Sequence, residues 1–287
     1  MYSLKRYVGA LFLIFFSFST AVWADGLSVG SWNVKRLGHG NKDYQSLALV
    51  AGLFDLIALQ EVMKPEAVVN LVGVLERTTG DDWDYISSHL IGRGSYKEAY
   101  SYVFRTKKVE LDGGMGRAAV YLDKDDIFAR EPFSVVFKDL STGDRFVMAS
   151  VHILWGKGVT DRLPEIQFLD DYWLWLESVY EGMPIVLVGD FNLPPDHAGF
   201  DQLERLNVAP LITTGATTLS SYNGRFANLY DNIWIRSESS KRLSIRRSGI
   251  FNFPAFLGIS HDEARDVVSD HAPVFFQTHS ANLTPPK

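Results

Sequence analysis

The sequence predicts an α/β (α+β) domain with β-sheets inside and helices outside, and three observations support this prediction. The length of 287 residues suits one large domain or two small ones. With 46% hydrophobic and 22% charged residues, the composition is that of an ordinary globular protein with a sizeable core. Strand-like segments alternate with helix-like ones, and no repeat, low-complexity tract or long linker follows residue 24. We therefore expect one domain over residues 25–287.

The first 24 residues have the pattern of a secretory signal peptide. Lys5 and Arg6 precede an apolar run over residues 8–18, and small residues follow up to Ala24. The run is shorter than the roughly 20 residues of a membrane-spanning helix, although an uncleaved anchor is the alternative interpretation. Cleavage near Ala24 would leave Asp25 first and release a soluble protein, without stable membrane insertion, to the periplasm or the medium.

The charge balance and the absence of cysteine exclude several functions. The chain has 28 basic and 34 acidic residues, and removing a signal with two basic residues changes the net charge from −6 to −8. A passive nucleic-acid coat needs a basic surface, whereas an enzyme that recruits a divalent cation can act on a polyanion. Without cysteine, disulfides, cysteine-ligated zinc, iron–sulfur clusters and thiol catalysis are excluded, so the domain must rely on its core.

The elements follow from the spacing of apolar residues, which is continuous or alternating in strands and helical in helices. The predicted strands are residues 27–34, 56–59, 100–105, 108–111, 133–137, 145–153, 184–188, 231–235 and 273–277. The predicted helices are residues 42–54, residues 65–77 with proline at the start, and residues 161–180. Strands 100–105 and 108–111 are expected to pair. Strands 133–137 and 145–153 are also expected to pair, because a Ser-Thr-Gly-Asp turn joins them.

Several predicted strands adjoin polar residues that can bind metal or move protons. These residues are Asn33, Glu61, His152, Asp190 with Asn192, and the pair Asp270 and His271 before the last strand. Strand ends from distant parts of a chain can meet at one rim of a sheet. Each residue alone is a weak signal, because a polar residue after a strand usually belongs to a turn. Oxygen ligands without cysteine favour Mg²⁺, Mn²⁺ or Ca²⁺ over zinc.

Taken in order, these residues lie in motifs that resemble the endonuclease/exonuclease/phosphatase superfamily. The motifs are Ser31-Trp32-Asn33-Val34, Leu59-Gln60-Glu61, Ser150-Val151-His152, Gly189-Asp190-Phe191-Asn192 and Ser269-Asp270-His271. They span nearly the whole chain after residue 24. The resemblance implies a four-layer sandwich of two packed, mainly antiparallel β-sheets flanked by helices.

One stretch is most similar to the deoxyribonuclease I branch of this superfamily. Residues 91–105 read IGRGSYKEAYSYVFR, and the runs Arg130-Glu131-Pro132 and Leu229-Tyr230-Asp231 support the same resemblance. The phosphatase and sphingomyelinase branches lack such a stretch. The resemblance therefore implies a metal-dependent endonuclease that acts on duplex or single-stranded DNA with low sequence specificity and leaves 5′-phosphate ends.

For the metal, the resemblance implies that Glu61 is the principal Mg²⁺ ligand, with help from Asn33 and with Asp270 as a further candidate. Mn²⁺ would substitute, and Ca²⁺ is another candidate ion. Asp190 and Asn192 would position the scissile phosphate and a metal or water. We expect the enzyme to act as a monomer without a protein partner.

The resemblance also assigns the proton transfers. His271, oriented by Asp231, would take a proton from the attacking water, and His152, paired with Glu98, would protonate the leaving 3′ oxygen. Independently of the resemblance, phosphodiester hydrolysis needs both transfers, and histidine titrates nearest to neutral pH. In related branches the residue equivalent to Asp190 activates the water, so the identity of the base stays open.

Substrate contacts are implied for Tyr96, which would stack on a deoxyribose, and for Arg93 and Arg105, which would contact backbone phosphates. Two departures from the family bear on these contacts. Met63 replaces the arginine that enters the minor groove, which puts the reading of duplex DNA in doubt. Trp155 stands where the family has small residues, and it either contacts substrate, for example by stacking on a base, or belongs to the core.

Two other functions stay open. A phosphatase or lipid phosphodiesterase of the sphingomyelinase kind could use the same scaffold, which the substitution at Met63 and the bulk of Trp155 would favour. A binding protein without activity is the third hypothesis. The complete set of histidines and carboxylates argues against that hypothesis.

Overall fold

Two β-sheets form the centre of the molecule in the computed structural model, which describes residues 26–113 and 118–278. The signal peptide expected over residues 1–24 lies outside the described residues. The strands are β1 (Ser28–Leu37), β2 (Leu56–Val62), β3 (Trp83–Ser87), β4 (Ala99–Arg105), β5 (Val109–Leu111), β6 (Ala118–Val120), β7 (Phe133–Asp139), β8 (Arg145–His152), β9 (Ile185–Asp190), β10 (Val208–Pro210), β11 (Asp231–Arg236), β12 (Ile245–Ile250) and β13 (Val274–Thr278). The helices are α1 (Tyr44–Ala51), α2 (Pro65–Thr79), α3 (Val159–Gln167), α4 (Leu169–Val179), α5 (Asp201–Arg205), α6 (Ser237–Arg242), α7 (Phe253–Leu257) and α8 (His261–Glu263), with a 3₁₀ turn at Ala198–Phe200 and a π turn at Ala264–Val268.

Both sheets are mainly antiparallel, as predicted. The first has the order β12-β13-β1-β2-β4-β3, and the second has the order β10-β11-β9-β8-β7-β5, with β6 also paired to β7. In each sheet one central pair is parallel, β1 with β2 and β8 with β9. The carboxyl ends of all four of these strands can therefore meet at one rim of the sandwich.

Three apolar cores separate four layers, which confirms the predicted sandwich. The middle core lies between the two sheets and includes Val29 of β1 and Phe137 of β7. A second core packs the outer face of the first sheet against α1 and α2, with Leu71 among its members. A third packs the outer face of the second sheet against α3 and α4, where Trp173 is buried.

Local sequence signals mark the start of α1 and both ends of α2. Asp43 caps α1 by accepting from the backbone N–H groups of residues 45 and 46. Pro65 opens α2, and Gly80 ends it with a left-handed φ of 72°. The predicted helix over residues 161–180 consists of two helices instead, because the chain turns at Phe168. Pro164 in α3 lacks an N–H to donate, and α3 ends within one turn of it.

One predicted strand pair is wrong and another is confirmed. β4 pairs with β2 and β3 in the first sheet, whereas β5 pairs with β7 in the second, so the chain changes sheets between them. β7 and β8 form the predicted antiparallel hairpin. The sequence did not reveal β3, β6, β10 and β12, which are short or rich in polar residues. Within the described residues, no helix has the length and apolarity needed to cross a membrane.

Candidate active site

The alternation of side chains along the strands places the predicted polar residues between the two sheets. On β9, Val186 and Val188 face the middle core, and Asp190 continues the same face at the rim. Asn33 of β1, His152 of β8 and Asp231 of β11 reach the same rim, because side chains alternate between the two faces of each strand. Asp190 is in register with the last residue of β8 on one side and the first residue of β11 on the other.

Bonds between the sheets fix this rim. Gln60 of the first sheet donates from Nε2 to the hydroxyl of Ser150 of the second, at 2.8 Å. Nearer the rim, Nδ2 of Asn33 lies 3.1 Å from Oδ2 of Asp190. These bonds join strands of different sheets, so the two halves of the site are held at a set separation.

Asp190 lies at the centre of the site and contacts both catalytic histidine candidates. Its Oδ2 lies 3.7 Å from Nε2 of His152 and 3.7 Å from Nε2 of His271. Its Oδ1 accepts the backbone N–H of Asn192 at 2.9 Å. Burial alone would raise the pKa of this carboxyl group, but the two histidines and these hydrogen bonds hold the pKa below its usual value. Asp190 is therefore an ionised acceptor between two imidazoles.

His152 is paired with Glu98, as the resemblance implied. Nδ1 of His152 lies 2.7 Å from Oε1 of the fully buried Glu98. Arg130 lies 3.7 Å from the same carboxylate and donates two hydrogen bonds to the carbonyl oxygen of His152, at 3.0 and 2.8 Å. Although burial and Arg130 lower it, the pKa of His152 is raised above its ordinary value by Glu98 and Asp190. His152 lines the cavity, and its imidazole has a higher proton affinity than an ordinary histidine.

His271 forms a second dyad of the same kind, as the resemblance also implied. Its Nδ1 lies 2.8 Å from Oδ2 of Asp231, and its carbonyl oxygen accepts from Nε1 of Trp32 at 2.6 Å. Burial lowers the proton affinity of this imidazole, but Asp231 and Asp190 outweigh it and raise the pKa of His271 to about 10. Two His–carboxylate dyads therefore contact the same carboxylate, that of Asp190.

Glu61 reaches the cavity because the backbone of β2 is irregular. Ile57 and Leu59 face the helix layer, so strict alternation would send Glu61 there too. Instead Glu61 has a φ of 62°, and the register of β2 shifts between residues 59 and 62, which is the signature of a bulge. Its Oε1 accepts from Nδ2 of Asn33 at 3.0 Å, and its Oε2 accepts from the N–H of Arg36 at 2.9 Å.

The site offers oxygen and nitrogen donors that fit a divalent cation. Ligand atoms of Asp190, Asp231 and His271 lie within 4.8 Å of one another. Oδ1 of Asp231 is buried and has no hydrogen-bond partner, so one donor atom is left over there. The predicted ligands Glu61 and Asp270 also line the cavity. Carboxylate oxygens are the donors that Mg²⁺ and Mn²⁺ prefer.

The predicted ligand Asp270 is surrounded by cations. Its Oδ2 lies 3.8 Å from Nζ of Lys35 and 3.6 Å from a terminal nitrogen of Arg265. The predicted ligand Asn33 accepts the N–H of Lys35 at its own Oδ1. Two of the predicted ligands are carboxylates, Glu61 and Asp270. Among the described salt bridges, Asp270 takes part in two and Glu61 in none.

A cavity of about 720 Å³ opens over this centre. Its lining combines the catalytic candidates with cations and with an outer loop: Lys35, Arg36, Glu61, Tyr96, His152, Trp155, Asp190, Asn192, Thr218, Leu219, Ser220, Ser221, Tyr222, Ala227, Asn228, Tyr230, Arg265, Asp270 and His271. Asn192 has a φ of 51° and donates from Nδ2 to the carbonyl oxygen of Ile153 at 2.7 Å. Such strained backbone is common at functional sites.

Of the predicted substrate contacts, three lie at the site and one does not. Tyr96, Trp155 and Arg93 line a second cavity of about 430 Å³ that shares His152 with the first. The hydroxyl of Tyr96 donates to Oε2 of Glu98 at 3.2 Å, and burial raises the pKa of this phenol, so it stays a donor.

The expectation that Arg105 contacts phosphate at this site needs correction. Arg105 ends β4 next to the start of β2, and six residue steps of about 3.3 Å separate it from Ala99 at the active-site end. Its side chain pairs with Asp55 and Asp81 and covers the ring of Trp83. These contacts commit the guanidinium to the opposite end of the sheet.

The other predicted departure from the family, Met63, is buried. Met63 is only 8% exposed, so the side chain that replaces the groove arginine does not project into solvent. It supplies no charge to the cavity.

Sequence analysis missed three buried charged residues that support the site. Arg130 braces the dyad of His152, although it was quoted only as part of a motif. Arg162 donates to the carbonyl oxygens of Trp155 and Asn192 at 2.9 and 2.6 Å. Glu165 accepts the N–H groups of residues 129 and 154. The charges of Arg162 and Glu165 within a mostly amphipathic helix were a usable signal, because charged side chains at the buried face of a helix need partners.

Comparison with known proteins identifies the family. Residues 30–271 match the model of the endonuclease/exonuclease/phosphatase family. The chain is 44% identical to a deoxyribonuclease of Thioalkalivibrio sp. (strain K90mix), over 96% of this chain and 76% of that protein. It is 27% identical to deoxyribonuclease-1 of Bos taurus, over 86% and 90% of the two chains.

Solved structures agree on the fold. A mannosyl-6-phosphatase of Bacteroides thetaiotaomicron superposes with a TM-score of 0.61 at 17% identity, over 87% of this chain and 98% of that one. At that identity the likeness concerns the fold alone. Because the family model covers most of the sequence and the two-sheet sandwich carries the dyads at one rim, the chain belongs to the endonuclease/exonuclease/phosphatase family.

Proposed function

We propose that the protein is a secreted, metal-dependent endonuclease that hydrolyses DNA phosphodiester bonds with low sequence specificity and leaves 5′-phosphate ends. The observation that carries the proposal is the pair of His–carboxylate dyads, whose Nε2 atoms lie 3.7 Å from one oxygen of Asp190. The names of the deoxyribonucleases similar to this chain support DNA as the substrate.

Two dyads on opposite sides of one centre suit a reaction with two proton transfers. Hydrolysis removes a proton from the attacking water and gives one to the leaving 3′ oxygen. His152 is suited to be the acid, because Glu98 and Asp190 outweigh burial and Arg130 and raise its pKa, which favours the protonated imidazole. With its pKa raised to about 10, His271 is protonated in the metal-free protein, so it would be the base only where a bound cation lowers that pKa. The other candidate for the base is Asp190, whose carboxylate is ionised.

We infer that Glu61, with Asn33 and Asp270, holds a Mg²⁺ ion, for which Mn²⁺ would substitute and Ca²⁺ is a further candidate. Bound there, the ion would neutralise charge on the phosphate oxygens and lower the proton affinity of nearby imidazoles. The cluster of Asp190, Asp231 and His271 is the competing metal site. The hydrogen bond between Asp231 and His271 occupies Oδ2 of Asp231 and Nδ1 of His271, so a metal in this cluster would have to use Oδ1 of Asp231.

A phosphatase or lipid phosphodiesterase is the second candidate. The buried Met63 supplies no cation for the minor groove, and the exposed Trp155 narrows the approach to His152. Either substrate class would use the same dyads. Release of phosphate or phosphocholine from small substrates, with DNA left intact, would favour this candidate.

Nicking of supercoiled plasmid by the mature protein tests the leading proposal. Nicking is expected with Mg²⁺ or Mn²⁺, is expected to stop in EDTA, and is expected to fall by about 10²–10⁴-fold in His271→Ala. His89→Ala is the matched control, because His89 is exposed and lines neither cavity. Ligation of the nicks without kinase treatment would identify 5′-phosphate ends. Folded wild-type protein that leaves plasmid intact with either ion would contradict the proposal.

Export is a separate proposal that rests on the pattern of residues 1–24. Expression of the full sequence in a bacterium with a periplasm is expected to yield protein beginning at Asp25. Amino-terminal sequencing of the periplasmic and membrane fractions would decide between cleavage and an uncleaved anchor.

A further inference from the structure

Trp155 stands between the two cavities at the active site. Its side chain is 53% exposed, whereas Ile153 two residues before it is fully buried. It lines both cavities, and His152 and Tyr96 do so as well. An exposed indole at the edge of two cavities offers a flat apolar face to a ligand.

The indole is held in place rather than free to rotate. The guanidinium carbon of Arg162 lies 3.9 Å from the centroid of the ring, and Nε of Arg162 donates to the carbonyl oxygen of Trp155 at 2.9 Å. Arg162 is itself 6% exposed and also binds the carbonyl oxygen of Asn192. The ring of Tyr230 lies 5.7 Å away at an angle of 58°. With one face covered by Arg162, the exposed half of the indole is presented to the cavities.

The second cavity has the chemistry of a nucleotide site. Its volume of about 430 Å³ falls within the range of small-molecule pockets. Two aromatic side chains, Tyr96 and Trp155, contribute to its lining, and so does Arg93, which is exposed and pairs with Asp126. The buried Arg130 also lines the cavity, but its guanidinium is bonded to His152. Aromatic rings stack on bases of any sequence, and arginine complements the phosphates on either side.

We propose that Trp155 stacks on an unpaired base of the nucleotide that carries the leaving 3′ oxygen, so that the preferred substrate is single-stranded or locally unpaired DNA. The proposal rests on the proposed nuclease function, because it places the base on the side of His152. In duplex DNA the base is already stacked, and bringing it to Trp155 would require flipping it out of the helix. The buried Met63 offers no cation that would compensate by entering a minor groove.

The test uses a single-stranded oligonucleotide in which all linkages but one resist cleavage. A matched strand has an abasic site at the nucleotide that carries the leaving 3′ oxygen. The wild type is expected to cleave the intact strand about tenfold faster than the abasic one, since stacking on an aromatic residue contributes about 1–3 kcal/mol per base. Trp155→Leu keeps apolar bulk without a stacking face, and it is expected to lower the ratio of the two rates to near one.

Phe256→Ala is the control, because Phe256 is also half exposed and lines neither cavity, and it is expected to keep the tenfold ratio. Trp155→Leu should fold, since Arg162 bonds to backbone carbonyl oxygens that the substitution retains. A wild-type ratio near one, or a ratio unchanged in Trp155→Leu, would overturn the base-stacking proposal and leave the nuclease proposal standing.

A binding measurement separates the two proposals. If folded wild type cleaves neither strand, the nuclease proposal fails, and binding of an oligonucleotide that contains 2-aminopurine decides the stacking proposal alone. Quenching of 2-aminopurine fluorescence that is lost in Trp155→Leu but kept in Phe256→Ala would support stacking. Absence of quenching by the wild type at saturating protein would overturn it.

Discussion

The imidazoles of His152 and His271 lie at the same distance, 3.7 Å, from one carboxylate oxygen of Asp190. Each imidazole is oriented from its other nitrogen by a buried carboxylate, Glu98 or Asp231. Glu98 directly precedes β4 of the first sheet and Asp231 begins β11 of the second, so the arrangement exists only in the folded sandwich. Because both histidines share one acceptor, a change at either dyad is expected to alter the proton affinity of the other.

Glu98→Gln is expected to reduce the fraction of His152 that carries the proton for the leaving group, while His152 itself is retained. Glu98 raises the pKa of His152, so its loss should lower that pKa and shift the alkaline limb of the rate profile to lower pH. We expect kcat for plasmid nicking to fall by about 10–100-fold at pH 7.5. Glu110→Gln is the control, since Glu110 is exposed and pairs with Lys138. An unshifted alkaline limb would contradict the assignment of His152 as the acid.

The pKa of His271 predicts how the stability of the metal-free protein depends on pH. A histidine whose pKa rises from 6.5 to about 10 on folding stabilises the native state fully below pH 6.5, and this stabilisation is lost as pH rises towards 10. The expected loss is on the order of a few kcal/mol. Urea unfolding in EDTA at several pH values between 6 and 10 would measure it. His271→Gln should show a flatter dependence over that window, and equal slopes for both proteins would refute the assigned pKa.

Metal affinity distinguishes the two candidate metal sites. If Glu61 is the principal ligand, Glu61→Gln is expected to weaken Mn²⁺ binding by about tenfold or more, as loss of a ligand or its support does at other metal sites. Asp231→Asn should have a smaller effect, because that carboxylate is bonded to His271. Paramagnetic resonance of free Mn²⁺ during titration measures both affinities. A larger effect of Asp231→Asn would instead favour the cluster of Asp190, Asp231 and His271.

Much of this site was predictable because it follows the alternation of strands. Asn33, His152 and Asp190 each continue an alternating row whose earlier members are buried between the sheets. Glu61 does not, since it reaches the site only through a bulge with a left-handed φ. The motif predicted that Glu61 lies at the site, whereas strict alternation along β2 would have placed its side chain on the face that packs against the helices.

The errors arose where contacts between distant residues decide the structure. Arg105 was assigned to phosphate from the motif around it, but Asp55 and Asp81, which pack beside the end of β4, bind it instead. β5 was paired with β4 because the two are adjacent in sequence, yet Val109 packs in the middle core and pairs with β7. Such pairings depend on tertiary packing, which periodicity alone does not report.

The glycine before Asp190 gives a prediction about the backbone of the site. Gly189 has a φ of 142°, and a Cβ there would overlap the carbonyl oxygen of Val151 on the neighbouring strand. Gly189→Ala is therefore expected to destabilise the protein by about 3 kcal/mol or more, through backbone strain and overpacking together. It should also displace Asp190 from the two histidines and reduce kcat.

Gly73→Ala in α2 is the matched control for this substitution. A Cβ at Gly73 would meet only the end of the Arg77 side chain, at 3.5 Å, so the alanine is expected to stabilise the helix by about 0.5–1 kcal/mol. Urea unfolding of both variants beside the wild type measures the two changes with opposite signs. If Gly189→Ala were as stable as the wild type, β9 could not approach β8 as closely as the parallel pairing of Val151 with Gly189 requires.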